Sequence, residues 1–213
     1  MYKLVVEQRY SESIKLCVDA LKEIHKEEIC LAVNSIPERN VVINLAYQIG
    51  RCRNVPFILS GELKKDFSII GLETDLWNNT HKKEEEKDTK KWESVDVQPD
   101  FLFHANMVEK KEQIMIMEVK TCKVLDEKPF DWDLGKLCMY VYKEETQYCE
   151  AVYLIFGQKE SKINNLLKGF CSSYGMMLDS VWQHIRFILV SIDENDRLKP
   201  EVYKLIKCQQ KLI

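Results

Sequence analysis

The sequence predicts an α/β fold in which a central mixed β-sheet is flanked by helices. Three observations lead there. Apolar residues recur at helical spacing near the N-terminus, short runs rich in Ile, Leu and Phe follow with charged residues between them, and the 213 residues hold only seven glycines and five prolines. So few of either disfavours a loop-rich all-β scaffold or a low-complexity linker protein. A hydrophobic content of 46% gives enough apolar surface for one sizeable core, so residues 1–213 are expected to form a single domain.

From Ser11 to Val33, Ile14, Leu16, Cys17, Val18, Leu21, Ile24, Ile29 and Leu31 recur at mostly helical spacing with charges between them, which predicts a long amphipathic helix. Asn34 and Ser35 are expected to break it. Pro37 and Glu38 open a second helix, because proline suits the first turn and an acid suits the N-terminal dipole. That helix carries Val41, Ile43, Leu45, Ala46 and Ile49 and ends near Gly50.

Val55–Leu63 and Ser68–Leu76 then read as paired strands. Residues 78–92 contain almost nothing apolar and are expected to be a solvated, mobile loop. Val97–Val108 and Gln113–Cys122 are apolar runs separated by a polar turn around Glu109–Glu112, the pattern of a hairpin. Asp131–Glu144 reads as a helix, Glu150–Gly157 as a buried strand, Ser161–Ser172 as a helix and His184–Ile192 as a final strand, with a short helix possible after Pro200.

The eight cysteines are scattered, with no C-x-x-C pair and no Cys/His cluster at zinc-ligand spacing, which makes a structural zinc site a poor explanation. No secretory leader pattern is visible, so reduced thiols in a cytoplasmic protein are expected. No apolar run approaches the roughly 18 to 20 residues needed to cross a bilayer, so no membrane partner is expected. A net charge of −3 lacks the broad positive field of a protein that coats nucleic acid, so any such contact must be local. Arg51 with Arg53, Lys64 with Lys65, and Lys110 with Lys111 are candidate patches, although most such pairs are solvated surface. His25, His81, His104 and His184 lie far apart, and neither a nucleophile signature nor a Gly-rich phosphate loop is present.

The chemistry concentrates in Val97-Gln98-Pro99-Asp100-Phe101-Leu102-Phe103 and Ile114-Met115-Ile116-Met117-Glu118-Val119-Lys120. Side chains alternate along a strand, so Glu118 and Lys120 share one face and Val119 takes the other. If the two strands pair, Asp100 meets them. Acids within apolar strands are costly to bury unpartnered, and two converging acids repel unless a cation lies between them. Two carboxylates with the Val119 backbone carbonyl suit a partial Mg²⁺ or Mn²⁺ shell with positions left for water and phosphate. Lys120 would hold or help deprotonate the attacking water and offset charge in the transition state. Against this, Glu-x-Lys is a common triplet in a chain with 31% charged residues, and edge strands often carry charges on a solvent face.

Pro99-Asp100 followed by Glu118-Val119-Lys120 resembles the signature of the PD-(D/E)xK nuclease superfamily. The resemblance is confined to those residues and to the order of elements. It implies a restriction-endonuclease-like fold, a Mg²⁺- or Mn²⁺-dependent hydrolysis of phosphodiester bonds, and a nucleic-acid partner, DNA foremost. By the same resemblance Asp100 and Glu118 bind the metal and Lys120 positions the nucleophile. Glu38 would add an acid from a preceding helix, and Lys136, within Asp133-Leu134-Gly135-Lys136-Leu137, would reach a phosphate. Each has a plainer alternative: Glu38 is a helix N-terminal charge, and Lys136 is an exposed lysine on a helix that packs through Leu134, Leu137, Cys138 and Val141. A homodimer is compatible with cutting both strands. The alternative function is a catalytically inactive nuclease-like binding or assembly module.

Overall fold

Alternation of apolar side chains along its strands gives the chain two cores, one on each face of a single sheet. The structure is a computed structural model that describes residues 2–29, 36–52, 57–60, 65–67, 95–97, 99–105, 113–121, 124–142, 148–174 and 181–208. In chain order the elements are β1 (Tyr2–Val6), α1 (Glu12–Lys22), α2 (Lys26–Ile29), α3 (Glu38–Arg51), β2 (Phe57–Ser60), β3 (Lys65–Phe67), β4 (Val95–Val97) and β5 (Phe101–Ala105). They continue with β6 (Gln113–Lys120), α4 (Glu127–Tyr142), β7 (Glu150–Phe156), α5 (Glu160–Tyr174), a 3-10 turn (Trp182–His184), β8 (Ile185–Ile192) and β9 (Leu198–Lys207).

Seven strands form one sheet in the order β1-β9-β8-β7-β6-β5-β2, and β3 and β4 form a separate ribbon. Strands β6, β7 and β8 run parallel, and the remaining neighbours pair antiparallel. The sheet is therefore mixed, and its parallel centre is covered on both sides, as parallel strands require. Met115, Met117 and Val119 of β6 join Val152, Leu154, Ile188 and Val190 in a core closed by Ile14, Cys17 and Leu21 of α1 and Val41, Leu45 and Ile49 of α3. On the other face Ile116, Tyr153, Ile155, Phe187 and Leu189 pack under Leu134 and Leu137 of α4 and Ile163, Leu167 and Phe170 of α5.

Local chemistry sets where the helices begin. The Ser11 hydroxyl accepts a hydrogen bond from the Ile14 amide at 3.3 Å and caps α1. Pro37 stands at the N-cap of α3, where its missing N–H costs nothing, and Glu38 puts an acid in the first turn. At the sheet edge the Asn164 side chain accepts from the Leu4 amide at 2.8 Å, so an outward-facing N–H of β1 is already satisfied.

Several boundaries differ from the sequence reading. The expected helix from Ser11 stops at Lys22, because the chain turns so that His25 bridges Arg197 and the Lys26 amide donates to Asp196 O at 2.9 Å. Helix resumes only briefly as α2, through Ile29, and residues 30–35, which hold the rest of the expected helix and its break at Asn34 and Ser35, lie outside the described residues. The run from Val97 is not one strand: Val97 ends β4, and β5 starts at Phe101 after Pro99, which has no N–H to donate to a ladder. Phe57–Ser60 pairs with β5, and Ser68–Leu76 and the charged loop 78–92 lie outside the described residues. The segment after Pro200 is strand β9, not a short helix, so β8 is not the last strand. Leu198 and Val202 are buried on one face of β9 and Tyr203 and Leu205 on the other, and Pro200 stands near the strand start, before the stretch that pairs with β1. The N-terminal strand β1, too short to show periodicity, pairs with β9.

Candidate active site

The hairpin of β5 and β6 assembles the centre. Its register ends with Phe101 opposite Met117, leaving the Val119 amide beyond the first residue of β5. Asp100 takes that place: its Oδ2 accepts from the Val119 N–H at 2.7 Å. A residue's N–H and C=O leave an extended strand on the same side, so the Val119 carbonyl also faces the Asp100 side. Glu118 and Lys120, on the other face from Val119, point beneath α4.

Helix α4 answers with Asp133 and Lys136, three residues apart on its buried face among Phe130, Leu134 and Leu137. Lys136 Nζ lies 2.7 Å from Glu118 Oε2 and 3.1 Å from Asp133 Oδ1. Lys120 Nζ lies 3.0 Å from Asp133 Oδ2 and 3.4 Å from Glu38 Oε1. Tyr153, next to Glu118 across the parallel ladder, donates its hydroxyl hydrogen to Asp133 Oδ2 at 3.2 Å. Glu38 Oε1 also accepts from the Thr121 amide at 3.5 Å.

All the sequence-derived site residues thus meet: Asp100, Glu118, Val119, Lys120, Glu38 and Lys136. Lys136 is buried, not surface, and its ammonium is engaged by two carboxylates. Asp133 is the member the sequence reading passed over, although it binds both lysines. The signal was present as an Asp and a Lys at i, i+3 on an otherwise apolar helix face. His184 lies elsewhere, its Nδ1 3.0 Å from Cys149 O.

Burial drives the electrostatics. Glu118 is 2% exposed, and desolvation raises its pKa to about 8 even though Lys136 pulls it down. Asp100 is also raised, by desolvation first, with the Val119 hydrogen bond opposing. Burial acts to lower the Lys120 pKa, but attraction to Asp133 and then Glu38 outweighs it and holds Lys120 above the ordinary lysine range. Lys120 is therefore a fixed cation. Four carboxylates face two ammoniums, a formal charge of −2 when all are ionised.

Within the centre, one buried side-chain atom, Glu118 Oε1, has no hydrogen-bond partner among the described residues. A buried carboxylate oxygen without a donor, beside a second carboxylate, fits a hard divalent cation. Among the described residues no group of three or more His, Cys, Asp and Glu is arranged to hold a metal, so water and a backbone carbonyl would have to complete the shell. No family model, curated protein or solved structure matches the chain.

Proposed function

We propose that the chain is a metal-dependent nuclease of PD-(D/E)xK type, with a restriction-endonuclease-like core, hydrolysing phosphodiester bonds in DNA. The observation that carries this reading is the unpartnered, buried Glu118 Oε1 beside Asp100 at the end of the β5–β6 hairpin. Asp100, Glu118 and the Val119 carbonyl would hold Mg²⁺ or Mn²⁺. When bound, such an ion polarises a phosphate oxygen and lowers the pKa of a coordinated water.

The chain's own groups do the rest. Lys120 is held as an ammonium, so it donates hydrogen bonds to the attacking water or to a phosphoryl oxygen and offsets the growing negative charge there. It does not take the water's proton. Asp133 and Glu38 grip Lys120 from two sides and limit its wandering, which keeps the donor aimed at the reacting centre. Lys136 keeps one Glu118 oxygen occupied, so the orphaned oxygen is the one presented. Water attacks phosphorus and gives its proton to solvent, the P–O bond to the sugar breaks, and the departing sugar oxygen takes a proton from solvent.

Cleavage of labelled single- and double-stranded DNA with Mg²⁺ or Mn²⁺ tests this. Wild type should cut, and Lys120→Ala should lose at least about a hundredfold in rate, the usual worth of one positioned donor. Wild type inert on every DNA form would overturn the reading. A second reading, a nuclease-like binding module without catalysis, is favoured by one observation: each lysine of the centre is already ion-paired without any metal. Absence of Mg²⁺ and Mn²⁺ binding in calorimetry would select it.

A further inference from the structure

Helix α3 leaves a narrow face in water that carries two arginines, an isoleucine and a tyrosine and no acid. Val41, Leu45 and Ile49 are buried, while Arg39, Ile43, Tyr47 and Arg51 are exposed at successive steps of four. Ile43 is 54% and Tyr47 61% exposed. The Arg51 guanidinium lies over the Tyr47 ring, 5.7 Å from its centroid. From Arg39 to Arg51 the sequence contains no acid, and neither arginine is ion-paired among the described residues. The twelve steps from Arg39 to Arg51 extend the helix about 18 Å.

The position of this stripe matters as much as its chemistry. Arg39 directly follows Glu38, whose carboxylate touches Lys120. Side-chain exposure across the network rises from 3% at Glu118 to 19% at Lys120 and 39% at Glu38. The most exposed member of the network is thus Glu38, in the first turn of α3. Two separated cations suit successive phosphates, and an exposed aromatic ring with a neighbouring apolar side chain suits an unpaired base. A duplex has its bases stacked inside and offers Tyr47 nothing comparable.

We infer that the Arg39–Ile43–Tyr47–Arg51 face of α3 is the track for single-stranded nucleic acid entering the Glu118 centre, with the arginines on phosphates and Tyr47 stacked on a base. The inference rests on the nuclease reading of that centre. Fluorescence anisotropy of a labelled DNA single strand, in chelator so that no cleavage occurs, tests it. Replacing Arg39 and Arg51 together by alanine should reduce the slope of log K against log salt by about 1.4, the effect of two lost phosphate contacts. Tyr47→Ala should weaken binding about tenfold, and all variants should melt as wild type does. The inference is overturned if wild type binds no single strand, if the double variant keeps the wild-type slope, or if Tyr47→Ala is neutral. Cleavage assayed separately keeps the two ideas apart: cutting with unchanged variant binding sinks the track alone, and binding through the stripe without cutting sinks the nuclease reading alone.

Discussion

Lys136 Nζ stands 2.7 Å from Glu118 Oε2 within the protein interior, while the other oxygen of the same carboxylate has no donor among the described residues. The pair is thus half-satisfied. A buried ion pair recovers its desolvation cost only when the remaining lone pairs also find partners. Its two ends come from β6 and α4, so it also ties the sheet to the helix that covers it.

Removing the cation should expose that cost. Lys136→Ala is expected to destabilise the fold by about 3–5 kcal/mol at pH 10, above the Glu118 pKa of about 8, the usual penalty for stranding a buried charge. The loss should shrink at pH 5, where Glu118 escapes by taking a proton. Urea denaturation at the two pH values measures both; an equal loss at each would contradict a buried, ionised Glu118.

Glu118 also makes a prediction about pH and stability in the wild type. Its folded pKa, about 8, lies above the ordinary 4.5, so the native state holds the proton more tightly than the unfolded chain. Its contribution is full below about pH 4.5 and is lost as pH rises through about 8. Asp131, raised by burial to about 7, acts with the same sign over a lower window. Glu118→Gln should therefore flatten the decline between pH 5 and 9, by an amount on the order of a few kcal/mol. Thermal melts of the two proteins across that range would show parallel curves if Glu118 were not the source.

Metal binding should follow the same proton. Calorimetry is expected to show Mn²⁺ affinity rising with pH towards 8, because the cation and the proton compete for Glu118. Asp100→Asn and Glu118→Gln should abolish the heat, and saturating the wild type at about a hundred times Kd should add about 2.7 kcal/mol of stability. Equal affinity at pH 5.5 and 8 would argue that the ion sits elsewhere.

Asp133 is expected to matter through the lysines it holds. Asp133→Asn removes the charge that most raises the Lys120 pKa, so that pKa should fall towards the ordinary range or below. Cleavage should drop at least about tenfold while single-strand affinity stays near wild type, since positioning and not binding is lost. Parallel loss of cleavage and affinity would assign Asp133 a role in binding instead.

The neighbouring Tyr153 hydroxyl bonds Asp133 Oδ2 at 3.2 Å. Tyr153→Phe should cost about 1 kcal/mol in chemical denaturation, the worth of one neutral-to-charged hydrogen bond partly replaced by others. A loss of several kcal/mol would mean that this hydroxyl, and not the lysines, fixes Asp133.

Much of this was legible in the residues themselves. The strand period separated Glu118 and Lys120 from Val119, and the polar turn between two apolar runs gave the β5–β6 pairing that brings Asp100 to them. The helical period located α3, with Pro37 and Glu38 at its start, and α4. These signals are local, because they reflect which face of one element meets water. What the sequence could not decide was everything that depends on distant partners: β1 and β9 as neighbours, the stop of α1 where His25 meets Arg197, and Asp133 poised between Lys120 and Lys136. An Asp on a helix reads as solvated until the sheet beneath it is known. Only the tertiary fold desolvates it, and desolvation turned an ordinary i, i+3 pair into the support of the centre.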